Sequence, residues 1–189
     1  MRSTVFFILF LGLASAASAF DPGKLEGAIA AGSSSPVGGG WAKNYKNSSF
    51  LGAVVEYAGP NEYRWGLEIG YDAGHDHKVI TACSPGVLFI APYVKEYRFH
   101  DNWEYYGTLG AGIYNRVNNK YTDAGVTYKG GTSGKFGLNG GFGFSYYLAK
   151  GLKLGLDLRL HYMLRFININ PAMESATNFV PSLTLRKSF

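Results

Sequence analysis

The sequence holds one cysteine, Cys83, so no disulfide can form within the chain. An exported domain built on it must be held by packing and hydrogen bonding, and Cys83 reads as a free thiol in a loop. It has no run of about 20 consecutive apolar residues, which excludes a membrane-spanning helix. Charged residues make up only 16%, and the formal net charge of +5 is a mild excess that does not point to nucleic acid. Prolines number only 7. What the chain has instead is 26 glycines, 14 tyrosines and 13 phenylalanines, interleaved in periodic segments. Interleaving of this kind favours strands that approach one another closely over a low-complexity linker.

The first residues read MRSTVFFILFLGLASAASA. Arg2 gives a positive start, Val5 to Leu13 a short apolar run, and Ala17-Ser18-Ala19 a small-residue cleavage pattern. This is the form of a cleavable signal peptide over residues 1–19, too short to span a bilayer, leaving residues 20–189 as one domain.

From there the pattern has a period of two. Strands are expected over 24–33, 49–58, 62–73, 86–99, 102–115, 134–148, 152–164 and 177–189, with a bulge at Pro92, which has no amide to donate. The connections alternate. Those at 59–61, 100–101 and 149–150 are two or three residues, and those at 34–48, 74–85, 116–133 and 165–176 exceed ten. An even strand number with short turns at one end and long loops at the other is the pattern of an eight-stranded antiparallel up-and-down transmembrane β-barrel of the all-β class.

The segment LKLGLDLRLHYML (152–164) poses the orientation question. Leucines occupy every second position from Leu152 to Leu160, and Lys153, Gly155, Asp157, Arg159 and His161 lie between them, so the two kinds of residue occupy opposite faces. A soluble sandwich would bury the leucines. A membrane barrel turns them to lipid and the charges inward. Three features select the second. Tyr63, Trp65, Tyr71, Tyr97, Phe99, Trp103, Tyr105, Tyr146 and Tyr162 fall near strand ends, as aromatic girdles do. The faces opposite the apolar ones carry both signs, Glu26, Glu56, Glu68, Asp72, Glu104 and Asp157 against Arg64, Lys153, Arg159 and Arg186. With His161, these are expected to form a charge-paired lumen, because an unpaired buried charge costs several kcal/mol. The last strand closes on the first and leaves no edge.

On these residues the chain resembles a known family. The Gly-aromatic strand, Ala149-Lys150 turn and LGLDLRLHY of 134–162, and PYVKEYRFHDNWEYYGTLGAGIYN of 92–115, are similar to the membrane domains of OmpA- and OmpX-like outer-membrane proteins. The resemblance implies location in a bacterial outer membrane. It implies contact with outer-membrane lipid and lipopolysaccharide, and a C-terminal signal, here Leu183, Leu185 and Phe189, read by the barrel assembly machinery. Lys187 departs from that signal's usual hydrophobic pattern. No cofactor, no nucleic acid and a monomer are expected.

Chemistry is weighed at two places. Lipid A deacylases, which the region around His161 resembles, use a His, a Ser two residues on and a nearby carboxylate. Glu174 supplies a carboxylate, but position 163 is Met and Ser175 is out of register, so no nucleophile is available. Asp72, His75, Asp76 and His77 carry metal-ligating types, yet in a single loop without a partner motif they read as solvated. The catalytic and metal assignments are therefore none. The long loops carry Lys43, Lys46, Lys78, Arg116, Lys120, Lys129 and Arg165, with few acids beyond Asp76, Asp123 and Glu174, a surface suited to phosphates. The function expected is a structural or surface-binding outer-membrane barrel. The alternatives are a lipid A-modifying enzyme, a narrow channel or carrier of small hydrophobic solutes, and a soluble lipocalin-like barrel.

Overall fold

The computed structural model of the chain describes residues 24–59, 61–80, 83–123, 125–164 and 175–189. The expected signal peptide with Ala17 and Ala19, and Arg165 and Glu174, lie outside the described residues.

Among the described residues, ten strands and one short helix follow in order: β1 (Leu25–Pro36), α1 (Gly39–Asn44), β2 (Ser48–Ala58), β3 (Tyr63–Asp72), β4 (Gly86–His100), β5 (Trp103–Asn118), β6 (Tyr121–Asp123), β7 (Val126–Tyr128), β8 (Gly131–Ala149), β9 (Leu152–Met163) and β10 (Ala176–Ser188). Eight of them form a closed barrel in which every neighbouring pair is antiparallel and β1 seals against β10. Closure leaves no strand with an unpaired edge in a solvent that offers no hydrogen bonds. The short turns use left-handed backbone, with φ of 56° and 62° at Asn61 and Glu62, 53° at Asp101 and 71° at Gly151. Adjacent positive φ values give a hairpin turn the twist of its strands.

The period-two pattern of the leucine segment resolves as outward leucines. Leu154 and Leu160 are exposed on the barrel's outer face, while Lys153, Asp157, Arg159 and His161 are buried inside. Tyr63, Trp65, Tyr71, Trp103, Tyr105, Tyr146 and Tyr162 are also exposed. Tyr97 differs: it shares its side of β4 with the inward Tyr93 and Lys95, and Arg64 lies over its ring at 5.0 Å.

The glycines have a spatial purpose. A Cβ at Gly66 would stand 2.2 Å from the Tyr93 ring, one at Gly70 2.3 Å from Phe89, and one at Gly143 2.6 Å from Tyr106. Each of these three glycines is the cross-strand partner of the aromatic residue whose ring lies over it. Large rings fit inside so narrow a barrel only because the facing position has no side chain.

Three expectations change. Pro92 makes no bulge: pairing of β4 with β5 lapses at Ala91 and Pro92 and resumes in the same register, and β3 pairs through Pro92 unshifted. The missing amide removes a donor, but no residue is inserted. The loop expected over 116–133 is shortened at both ends by longer strands, and its middle forms the hairpin β6–β7, where the Tyr121 and Tyr128 rings stack 4.8 Å apart. The loop expected over 34–48 contains α1.

Candidate functional site: a layered lumen under a capped mouth

The lumen is built in layers from the short-turn end upward. All eleven residues expected inside (Glu26, Glu56, Arg64, Glu68, Asp72, Glu104, Lys153, Asp157, Arg159, His161 and Arg186) are buried. Nine of them join Lys95 in one continuous ion-pair network. Glu26 meets Lys153 at 2.5 Å, and Arg64 and Arg186 at 3.5 Å each. Glu104 meets Lys153 at 2.7 Å and Lys95 at 2.6 Å. Glu56 joins Lys95 at 3.1 Å to Arg186 at 3.0 Å. Arg186 continues to Asp157 at 3.1 Å, Asp157 to Arg159 at 3.4 Å, and Arg159 contacts Glu68. Five carboxylates thus face five cations. The balance matters because one uncompensated charge in a buried network is strongly destabilising.

Two tyrosines extend this polar interior. Tyr93 donates to Glu56 at 2.5 Å, Tyr106 donates to Asp157, and Arg186 donates to the Tyr106 hydroxyl at 3.1 Å. Lys95 lies over the Tyr106 ring at 4.0 Å and Arg159 over the Tyr93 ring at 4.7 Å. Cation–π contacts gain strength where the cation is desolvated.

Asp72 and His161 stand apart from the network, in higher layers. His161 belongs to an aromatic layer. Its Nδ1 is 3.0 Å from the Tyr114 hydroxyl, and its ring lies 4.7 Å from Phe89, which stacks on Phe50 at 6.2 Å. Met163, two residues on, is buried beside this layer. His161 is 2% exposed, so a base there has no approach from solvent.

Asp72 belongs to the mouth. It accepts hydrogen bonds from Ser34 at 3.0 Å and Asn178 at 2.9 Å. Asn178 in turn accepts from the Trp41 indole at 2.7 Å. Trp41 comes from α1, which turns back over the barrel through left-handed Gly38 and Gly39, with φ of 71° and 60°. Arg116 lies over the Trp41 ring at 4.9 Å and donates to the Tyr45 hydroxyl at 2.8 Å. Burial raises the Tyr45 pKa above its ordinary value, against the lowering effect of the Arg116 guanidinium.

The mouth corrects several loop expectations. His75 is not solvated: it is fully buried, with Nδ1 2.9 Å from the Lys46 carbonyl and Nε2 3.3 Å from the Ser48 hydroxyl. Its 3.6 Å approach to Asp72 fastens the second long loop to the lumen. Cys83 is buried too, and its carbonyl accepts from the His77 amide at 2.7 Å. Arg116 faces the cap and not the outer surface. Lys78 spends its ammonium on the Ala42 carbonyl, at 2.6 Å. Among the described residues no three metal-ligating side chains converge.

Sequence reasoning missed Lys95, the buried tyrosines Tyr93, Tyr106 and Tyr114, and the Trp41 cap. Lys95 was legible in principle, because it has the same parity on its strand as Phe89, Ala91 and Tyr93. Trp41, in a glycine-rich loop, carried no periodic signal.

An outward apolar belt around an inward, charge-balanced interior defines the class: the small eight-stranded transmembrane β-barrels of bacterial outer membranes. The chain is similar in fold to Neisserial surface protein A, with 15% identity, 88% of this chain and 97% of that chain covered, and a TM-score of 0.61. It is also similar to OprG of Pseudomonas aeruginosa (11% identity, 89% and 98% covered, TM-score 0.54) and to Ail, the attachment invasion locus protein of Yersinia pestis (15%, 88% and 99%, 0.52). No protein-family model matches the chain, and no curated protein matches its sequence.

Proposed function

We propose that this outer-membrane barrel works as a sealed anchor that presents its long loops at the cell surface, where they contact lipopolysaccharide. The observation that carries the reading is the continuous five-and-five ion-pair network lying beneath an aromatic layer and the Trp41 cap. An eight-stranded interior is just wide enough for side chains to fill, and here large ones occupy each level.

The lumen residues thereby serve structure and not transport or catalysis. Lys120 and Lys129, exposed beside the β6–β7 hairpin, are the cations best placed to meet phosphates. Leu183 and Leu185 face outward on β10 and Phe189 follows it, in keeping with a C-terminal signal for assembly machinery. Export with cleavage after Ala19 and a monomeric barrel complete the proposal.

Planar-bilayer recording of the reconstituted protein tests it, with no unitary conductance expected; stepwise openings would refute the sealed reading. Binding to lipopolysaccharide vesicles should weaken as salt rises, and salt-independent binding would remove the electrostatic part. Lipid A of unchanged mass on overexpression is expected; a mass shift would favour the enzyme alternative.

A further inference from the structure

On the outer face of the barrel, β3, β4, β5 and β8 frame a groove of about 660 Å³. Its floor lies at Gly107, in the cross-strand row Tyr63–Glu96–Gly107–Phe142. A Cβ at Gly107 would meet nothing nearer than the Gly141 carbonyl oxygen at 4.0 Å, so the notch is open. Tyr105, Leu109 and Phe142 wall it with exposed apolar surface. Toward the short-turn end it also takes in Glu96 and Arg98. Arg98 pairs with Glu96 at 2.8 Å and with Glu62 of the β2–β3 turn, and all three side chains are about half exposed.

An apolar slot that ends in a cluster of two carboxylates and one guanidinium has a definite complement. We propose that the groove selectively binds a zwitterionic aminophospholipid of the phosphatidylethanolamine type, from the leaflet on the short-turn side. One acyl chain lies over Gly107 between Leu109 and Phe142. The headgroup phosphate meets Arg98, and its ammonium meets Glu96 or Glu62. An anionic phosphatidylglycerol offers the phosphate but no cation for the surplus carboxylate, and so meets like charge. Lipopolysaccharide belongs to the opposite end, beneath the long loops. Exposed ion pairs are individually weak, so the selectivity expected is roughly two- to fivefold.

The inference rests on the membrane-embedded reading, and its test separates the two. The mature barrel in detergent is given equal amounts of phosphatidylethanolamine and phosphatidylglycerol with matched acyl chains, and lipid-bound species are counted by native mass spectrometry. Phosphatidylethanolamine adducts should exceed phosphatidylglycerol adducts by roughly two- to fivefold. Gly107→Leu, which fills the slot, should abolish the preference. Arg98→Ala combined with Glu96→Gln should abolish it without filling the groove. Equal retention of the two lipids by the native protein overturns the proposal, as does a preference that survives either variant. Heat-modifiable gel mobility is recorded in parallel. A barrel that shifts on heating but shows no lipid preference refutes this inference alone; a native protein that never shifts refutes the embedded reading with it.

Discussion

Lys95 and Glu104 meet at 2.6 Å inside the barrel, and neither is exposed to solvent. Lys95 also reaches Glu56 at 3.1 Å, so one ammonium offsets two carboxylates contributed by different strands. Lys95→Met leaves both acids short of a partner and should destabilise the barrel by about 3–5 kcal/mol. Adding Glu104→Gln should recover part of the loss, because the charge count is restored. Chemical unfolding of the single and double variants in a common detergent measures the coupling; strictly additive losses would show that the two residues act independently.

The outward leucines make a second prediction. Leu156 lies on the lipid-facing side of β9, between Phe144 of β8 and Leu183 of β10. Leu156→Arg should cost about 2–4 kcal/mol near the bilayer midplane. Unfolding in lipid vesicles reads this directly, and a neutral result would mean that this face does not meet hydrocarbon.

Glycines on the two faces should behave oppositely. Gly66→Ala drives a Cβ to within 2.2 Å of the Tyr93 ring and should cost about 1–3 kcal/mol through overpacking. Gly107→Ala, on the open lipid face, should be near neutral. Melting or unfolding midpoints of the pair compare them under identical conditions.

Trp41→Ala should loosen the mouth without opening it. The change orphans the Asn178 carbonyl oxygen and removes the ring beneath Arg116, at a cost of about 2–4 kcal/mol. The layer of Phe50, Phe89, Tyr114 and His161 lies below and stays closed. Bilayer conductance should therefore remain at baseline while protease cleavage of the first long loop quickens. A conductance that appears in this variant would place the seal in the cap alone.

Lys120→Ala combined with Lys129→Ala should weaken binding to lipopolysaccharide vesicles by about fivefold per lysine at low ionic strength. The difference should fade at high salt, where exposed charges are screened. Vesicle co-sedimentation across a salt series checks both statements.

Much of this architecture could be read from the chain alone, and the reason is geometric. A strand alternates its side chains by a fixed period of two, so Leu152 to Leu160 and their charged neighbours had to part onto opposite faces. Strict alternation of short and long connections then fixed which ends of the strands share a side, and both signs of charge on one face required that face to be interior. The closed eight-strand order and the burial of the eleven charged and polar lumen residues follow from those local facts.

What the sequence left open depends on which residues meet across the lumen. Parity turns Lys95 inward, but only the stagger of the closed barrel brings its ammonium between Glu56 and Glu104. The same stagger leaves Asp72 and His161 above the network, in layers of their own. Trp41, His75 and Arg116 lie in or beside loops with no repeating pattern, and they meet only because three separate connections converge on one rim. Periodicity is a property of neighbours in sequence and was legible. The pairing of charges and the capping of the mouth are properties of residues that closure alone makes neighbours in space.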